Sequence, residues 1–390
     1  MQTGLTSGAI DPTSVMEVGS GFQMLAMLLT LGLGPLSKPW RTSQMKKSLV
    51  ALAVLAASGA AMAQSSVTLF GNMDARYAVG KGSVSNKTQL ANNGMSSSAF
   101  GVRGVEDLGG GLKASFHLEA DVGNDDGSGR ATNSNNQAVT ALASAGTQGL
   151  TWARKSTVGL VGSMGEIRLG RDYSPQFYPD AQYDLFGTNG VASSLIAYQG
   201  GNAAVRASNM IAYHSPDFGG IRVMLGTYMG ENNTGAAAGK AGDGNGIHVR
   251  YAKGPLAFGI ASSTTKTSAV NEVKTSTMGG SYNMGVATLM VNSNTVSNTG
   301  AVDLKGMLIG AAIPMAGGTL KFSNASLKQG AAETKRNAVG FVKPLSKRTS
   351  LFATYARNGN SGGAARALNG ATVNPNQSST GYDLGVNHTF

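Results

Sequence analysis

The chain of 390 residues contains no cysteine. That excludes a disulfide scaffold and thiolate metal sites, and it suits an oxidising compartment, where an unpaired thiol is a liability. Proline is scarce, at 10 residues. Hydrophobic residues make up 41% of the chain, yet beyond Ala63 none of their runs approaches the length a membrane helix needs, roughly 18 to 20 consecutive apolar residues. Any membrane crossing must therefore be made by strands. Basic runs and aromatic–basic RNA motifs are also missing. The net charge of +11 comes from Lys and Arg scattered singly or in adjacent pairs, which points away from nucleic acid and leaves anionic surfaces, anionic solutes or simply a solvated charged face. What the chain does have is glycine, 56 residues of it, with abundant Ser, Thr and Asn. This composition suits many strands separated by polar turns and suits helices poorly.

The first 63 residues stand apart. Met45-Lys46-Lys47 is a charged n-region, residues 48–57 are a short apolar h-region, and Ala61-Met62-Ala63 places small residues where a signal peptidase reads them. The pattern predicts a signal peptide over 45–63, a barrel domain over 64–390, and residues 1–44 as an upstream extension arising from a start codon placed too early. Removing Lys38, Arg41, Lys46 and Lys47 with Asp11 and Glu17 leaves 27 basic and 18 acidic residues, a balance of +9.

After Gln64 the sequence alternates with period two. Leu112, Ala114, Phe116, Leu118, Ala120 and Val122 share one face, and Lys113, Ser115, His117, Glu119 and Asp121 share the other. In a soluble sandwich the polar face meets water and the apolar face a core, whereas in an outer-membrane barrel the apolar face meets lipid and the polar face lines the lumen. Periodicity does not separate the two, but loop length does. Sixteen strands are expected between residues 66 and 390. Tight turns such as Gly162-Ser-Met-Gly165 and Ser215-Pro-Asp-Phe-Gly-Gly220 alternate with long segments at 78–96, 122–150, 174–207, 230–246 and 358–380. This alternation predicts an all-β, 16-stranded antiparallel transmembrane barrel, with short periplasmic turns and long external loops. In the last strand Phe390 falls in phase with Tyr382, Leu384 and Val386, on the lipid side.

The chain resembles the Gram-negative trimeric general porins of the β-proteobacterial branch, including their anion-selective members. The resemblance lies in Ser65-Ser-Val-Thr-Leu-Phe-Gly71, Phe100-Gly-Val-Arg-Gly-Val-Glu-Asp-Leu-Gly-Gly-Gly-Leu-Lys-Ala114, Arg154-Lys-Ser-Thr-Val-Gly-Leu160, Gly165-Glu-Ile-Arg-Leu-Gly-Arg-Asp172 and the terminal Phe390. It implies a homotrimer in the outer membrane, in contact with lipid and lipopolysaccharide and exported through a cleaved signal peptide. It also implies a third loop, at about 173–207, folded into the pore, and a terminal Phe390 read by the barrel-insertion machinery. The expected function is a diffusion channel for small hydrophilic solutes and ions, with moderate anion preference. A substrate-specific channel and a plugged structural or adhesive barrel are the alternatives.

The resemblance also implies the constriction. Arg154 and Arg206 match family arginines on the wall facing the loop, while a third family position holds Ala99. Lys155 and Arg103 stand close enough in sequence to compensate. Glu119 matches an acidic wall position, and Asp180 or Asp184 would oppose the arginines from the loop. By alternation alone, Arg154 falls on the lipid side with Val158 and Leu160, so a bulge or a later strand start is required. His117, His214, His248 and His388 have no metal-ligand spacing. No hydrolase constellation is present either, so no enzyme, cofactor or metal is expected.

Overall fold

The computed structural model describes residues 65–390 except 131, 138–148, 196–198, 200–202, 234 and 237. The expected signal segment 45–63 and the upstream residues 1–44 lie outside the described residues. The first nine strands are β1 Ser66–Lys81, β2 Lys87–Asn92, β3 Ala99–Gly109, β4 Leu112–Asp121, β5 Lys155–Gly162, β6 Gly165–Tyr173, β7 Arg206–His214, β8 Ile221–Tyr228 and β9 Gly244–Lys253. They are followed by β10 Leu256–Lys266, β11 Glu272–Asn283, β12 Thr288–Asn298, β13 Leu304–Met315, β14 Gly318–Gln329, β15 Ala332–Pro344, β16 Thr349–Ser361 and β17 Ser379–Thr389. Helix α1, Phe177–Tyr183, lies between β6 and β7.

Neighbouring strands pair antiparallel, and β1 pairs β17 from Asn72↔Thr389 to Lys81↔Thr380, so the sheet closes on itself. Closure leaves no free edge and satisfies the backbone of a wall surrounded by lipid. The closed wall has the expected sixteen strands, and β2 is additional. One edge of β1 pairs β3 through Ser66–Asn72 and β2 through Ala75–Gly80. Between β2 and β3, residues 93–98 leave the wall. The Asp74 carboxylate clamps this excursion by accepting backbone N–H bonds from Gly94, Met95 and Ser96 at 2.6, 2.9 and 2.9 Å. The sequence predicts 78–96 as one loop, but only 82–86 connects β1 to β2. The six residues of β2, Lys-Thr-Gln-Leu-Ala-Asn, carry almost no apolar period.

The faces resolve the ambiguity of the alternation. In β10, Leu256, Phe258 and Ile260 are exposed on the outside, whereas Ala261, Ser263 and Thr265 are buried inside. In β12, Leu289 and Val291 are exposed, and Asn292 and Asn294 are buried. An apolar exterior around a polar interior is the transmembrane arrangement. Strict alternation of short and long connections does not hold on the outer rim, where 267–271, 299–303 and 330–331 are as short as the opposite turns. Here the strands outrun their apolar period. Thr264–Lys266 and Lys328–Gln329 stay in register although their sequence lacks an apolar signal.

The connection between β6 and β7 folds into the barrel and forms its own small cores. Leu185, Phe186, Val191 and Ala192 pack on inward Ala338 and Ala356 and on Leu368. Leu195 packs among Val273, Val296, Leu304 and Leu308. Each fully buried aliphatic or Phe side chain stabilises this seating by about 1.5–3 kcal/mol. Wall glycines make room for it, Gly279 and Gly340 among them. A Cβ on Gly279 would lie 2.6 Å from the Tyr183 ring, and one on Gly340 would lie 2.7 Å from the Phe186 ring.

Candidate functional site

The wall charges divide into those that hold the loop and those that face the lumen. Arg76 pairs with Asp383 at 2.6 Å, and Asp383 accepts the Val191 N–H at 2.8 Å. Lys321 donates to the Leu185 carbonyl at 2.9 Å, and Arg336 donates to the Ser193 carbonyl at 2.7 Å. At the loop tip the Gly190 N–H donates to the Asn93 carbonyl at 3.0 Å, joining the loop to the excursion beside β2. Alternation places Arg76, Lys321 and Asp383 on the polar face, but they are engaged by loop backbone, by one another and, for Arg76 and Asp383, by the Asn369 side chain.

Asp180 and Asp184, expected to oppose the arginines across the pore, face away from it. Asp180 on α1 accepts bonds from the Asn292 and Asn294 amides of β12, both at 2.9 Å, and is 3% exposed. Burial raises its pKa from the ordinary 3.8 to about 7. Asp184 is 4% exposed and accepts the N–H groups of Phe186 and Ser194 at 2.8 and 2.6 Å. Its pKa is also pushed up by burial, against the pull of those bonds. A carboxylate on so short a side chain is well placed to tie down backbone within its own loop, and that use turns it inward.

Between the loop and the early strands lies a cavity of about 710 Å³. Glu119 and Asp121 of β4, Arg154, Arg206 and Tyr173 all line it. Arg154 precedes β5, which starts at Lys155. It is therefore free of the strand's alternation, and its mismatch with Val158 and Leu160 disappears. Its guanidinium pairs with Glu119 and lies 3.7 Å from Asp121, and its backbone N–H donates to the Glu119 carbonyl at 3.0 Å. Ala99, where the resembling family carries arginine, lines the same cavity.

Arg130 also reaches the cavity, where its Nε lies 3.5 Å from Asp121. Sequence reasoning missed it because it sits in a long connection with no alternation. The signal available was that it is the single basic residue between 122 and 150. Arg206, at the start of β7, stands over the Tyr173 ring at 4.9 Å. Among the described residues no carboxylate lies within ion-pair distance of it. The cavity thus gathers three guanidinium groups against two carboxylates, and Glu119 and Asp121 are already engaged by Arg154 and Arg130.

Lys155 and Arg103 sit elsewhere, lining an adjoining recess of about 330 Å³. Lys155 pairs with Asp172 at 2.9 Å, and Arg103 stands over the Phe70 ring at 5.0 Å. At the seam Phe390 exchanges two backbone hydrogen bonds with Gly71, at 3.0 and 3.1 Å. Its ring covers Gly71 so closely that a Cβ there would lie 2.2 Å from it. Among the described residues no group of three or more His, Asp or Glu side chains gathers to hold a metal ion.

A family model described as Gram-negative porin matches residues 48–363. The outer membrane porin protein 32 of Delftia acidovorans is 38% identical over 373 residues, covering 89% of this chain and all of the relative. Among solved structures, an anion-selective porin from Comamonas acidovorans superposes with a TM-score of 0.74 at 33% identity, covering 84% of this chain and all of that one. OmpT of Vibrio cholerae in its trimer form gives a TM-score of 0.60 at 13% identity, over 84% of this chain and 99% of that one, a likeness of fold.

Proposed function

This chain belongs to the Gram-negative porin family, and we propose that as an outer-membrane diffusion channel it passes small hydrophilic solutes with a moderate preference for anions. The observation that carries the sign of selectivity is Arg206, a lumen guanidinium with an aromatic ring for company and no carboxylate partner among the described residues. A narrow passage with an excess of one charge concentrates counter-ions and repels co-ions. The anion-selective Comamonas porin supports the same sign. Two features hold the preference to a moderate level. Ala99 supplies no charge, and the carboxylates of Glu119 and Asp121 balance Arg154 and Arg130.

The test is the reversal potential across a planar bilayer in a potassium chloride gradient. The wild type should conduct ohmically and favour chloride, less so at high salt as the charges are screened. Arg206→Gln should shift the potential towards cations. Arg154→Gln should shift it further, since it also releases Glu119 and Asp121. A cation-selective wild type, or an unchanged potential in Arg206→Gln, overturns the anion reading and leaves the family assignment standing.

Four further readings accompany this one. The channel works as a homotrimer, in contact with lipopolysaccharide. The insertion machinery reads its terminal strand through Phe390. Cleavage after Ala63 gives a mature chain starting at Gln64. The barrel has no enzymatic role.

A further inference from the structure

Helix α1 separates two cavities. Phe177 and Ala181 line the constriction, whereas Tyr178 and Gln182, each one position further along, line a second recess of about 420 Å³. That recess borders the short turns at 162–165 and 215–217, on the periplasmic side, and shares no lining residue with the constriction. We propose that it is a separate binding site for the carboxylate of a small monoanionic solute, centred on Arg250. This goes beyond ion preference at the constriction, because it requires a saturable site made of different side chains.

Three observations carry the proposal. The first is charge. Arg222 and Arg250 are register partners on β8 and β9, both lining the recess. Like charges placed directly opposite destabilise a sheet unless something compensates them. Arg222 has Asp217 at 3.2 Å, and Arg168 has both Glu166 and Asp172. For Arg250 no carboxylate lies within ion-pair distance among the described residues.

The second is unmet hydrogen bonding. Gln182 Oε1, His214 Nε2, His248 Nε2 and Arg250 Nε are buried atoms without a hydrogen-bond partner in the protein, and all four residues line this recess. His248 is only 5% exposed. Buried polar atoms left without partners are costly, so their convergence on one recess points to a polar occupant.

The third is rigidity. The Tyr178 ring stacks on His248 at 5.2 Å and 11°, and meets His214 edge-on at 6.4 Å. The imidazoles are therefore held in place, each able to present an N–H at Nε2. One uncompensated guanidinium with imidazole donors beside it fits a singly charged planar carboxylate, which takes up charge-assisted bonds on both oxygens.

The experiment measures chloride current through the purified channel in a planar bilayer, with butyrate added on the short-turn side. In the wild type the current should fall and saturate as butyrate rises. Arg250→Gln should raise the half-saturating concentration by about tenfold or more. His248→Phe, which keeps the stack on Tyr178 and removes the donor, should raise it less. A wild-type current without saturation, or an unchanged half-saturation in Arg250→Gln, overturns the proposal. Failure of the constriction reading shows instead in the reversal potential of Arg206→Gln, so the two are read separately.

Discussion

At the scale of single residues, the inside of this barrel shows how little a charge on the lumen face says about its task. Arg76, Lys321 and Arg336 hold the loop, through Asp383, the Leu185 carbonyl and the Ser193 carbonyl. Arg206, on the same inner surface, stands over the Tyr173 ring with no carboxylate within ion-pair distance among the described residues. Alternation reads which side a charge faces, and it read Asp74, Glu119 and Arg103 onto the lumen side where they stand. What each charge touches depends on a loop that crosses the barrel, and no local pattern encodes that. Gly279 makes the same point. In sequence it is a glycine within a strand, and in the structure it is the slot for the Tyr183 ring. Gly279→Ala should push that ring and α1 towards the lumen, since a contact near 2.6 Å cannot stand. Single-channel conductance should fall while the barrel's thermal stability changes by about 1–3 kcal/mol. Equal conductance in the two proteins would show that the ring can move aside without narrowing the passage.

At the scale of the element, the loop between β6 and β7 is seated by aliphatic packing and by a buried carboxyl whose charge opposes the seating. Burial raises Asp180 from the ordinary 3.8 to about 7, so the folded loop favours the protonated form. The sign follows from linkage: a carboxyl that holds its proton more tightly when folded adds stability below its unfolded pKa. That stability is lost as pH rises through the folded one. Loop docking should therefore weaken between pH 4 and about 7. Limited proteolysis within 174–205 should be faster at pH 8 than at pH 5, and Asp180→Asn should reduce the difference, leaving the part that buried Asp184 contributes. Cleavage independent of pH in the wild type would contradict this account. The helix itself was not legible from sequence. At seven residues it is too short to show a period, and it forms because the barrel wall packs against it. The outer ends of β10, β12, β14 and β15 run past the alternating stretches for a related reason: they rise above the apolar band, so pairing rather than alternation defines them.

For the whole molecule, the closed sixteen-stranded wall was readable because lipid imposes the same period on every crossing. The cavity between the loop and the early strands was readable in part. Arg154, Arg206 and Glu119 come together there, Lys155 and Arg103 line the recess beside it, and Asp180 and Asp184 lie behind the loop. Two predictions belong to this scale. Intact-mass measurement of protein extracted from outer membranes should show a chain starting at Gln64, and finding residues 1–44 in it would refute the processing step. Deleting Phe390 should lower the amount of inserted barrel several-fold, whereas Val270→Ser should leave it unchanged. Val270 lies in an outer-rim connection and is 83% exposed. Comparable insertion of both variants would remove the special role of the terminus.

The seam has a consequence for how the molecule is made. Gly71 near the start of the barrel bonds to Phe390 just beyond β17, and the Phe390 ring fills the space that a side chain at Gly71 would need. The other wall pairings join strands adjacent in the chain, or β1 with β3 past the short β2, whereas the β1–β17 pairing joins the two ends of the barrel and closes its largest loop. No stretch of chain that stops short of β17 can therefore complete the cylinder. Until β17 meets β1, the sheet has an unpaired edge at each side. The pairing of β17 with β1 removes both edges at once, and the contact of Phe390 with Gly71 lies at the end of that pairing.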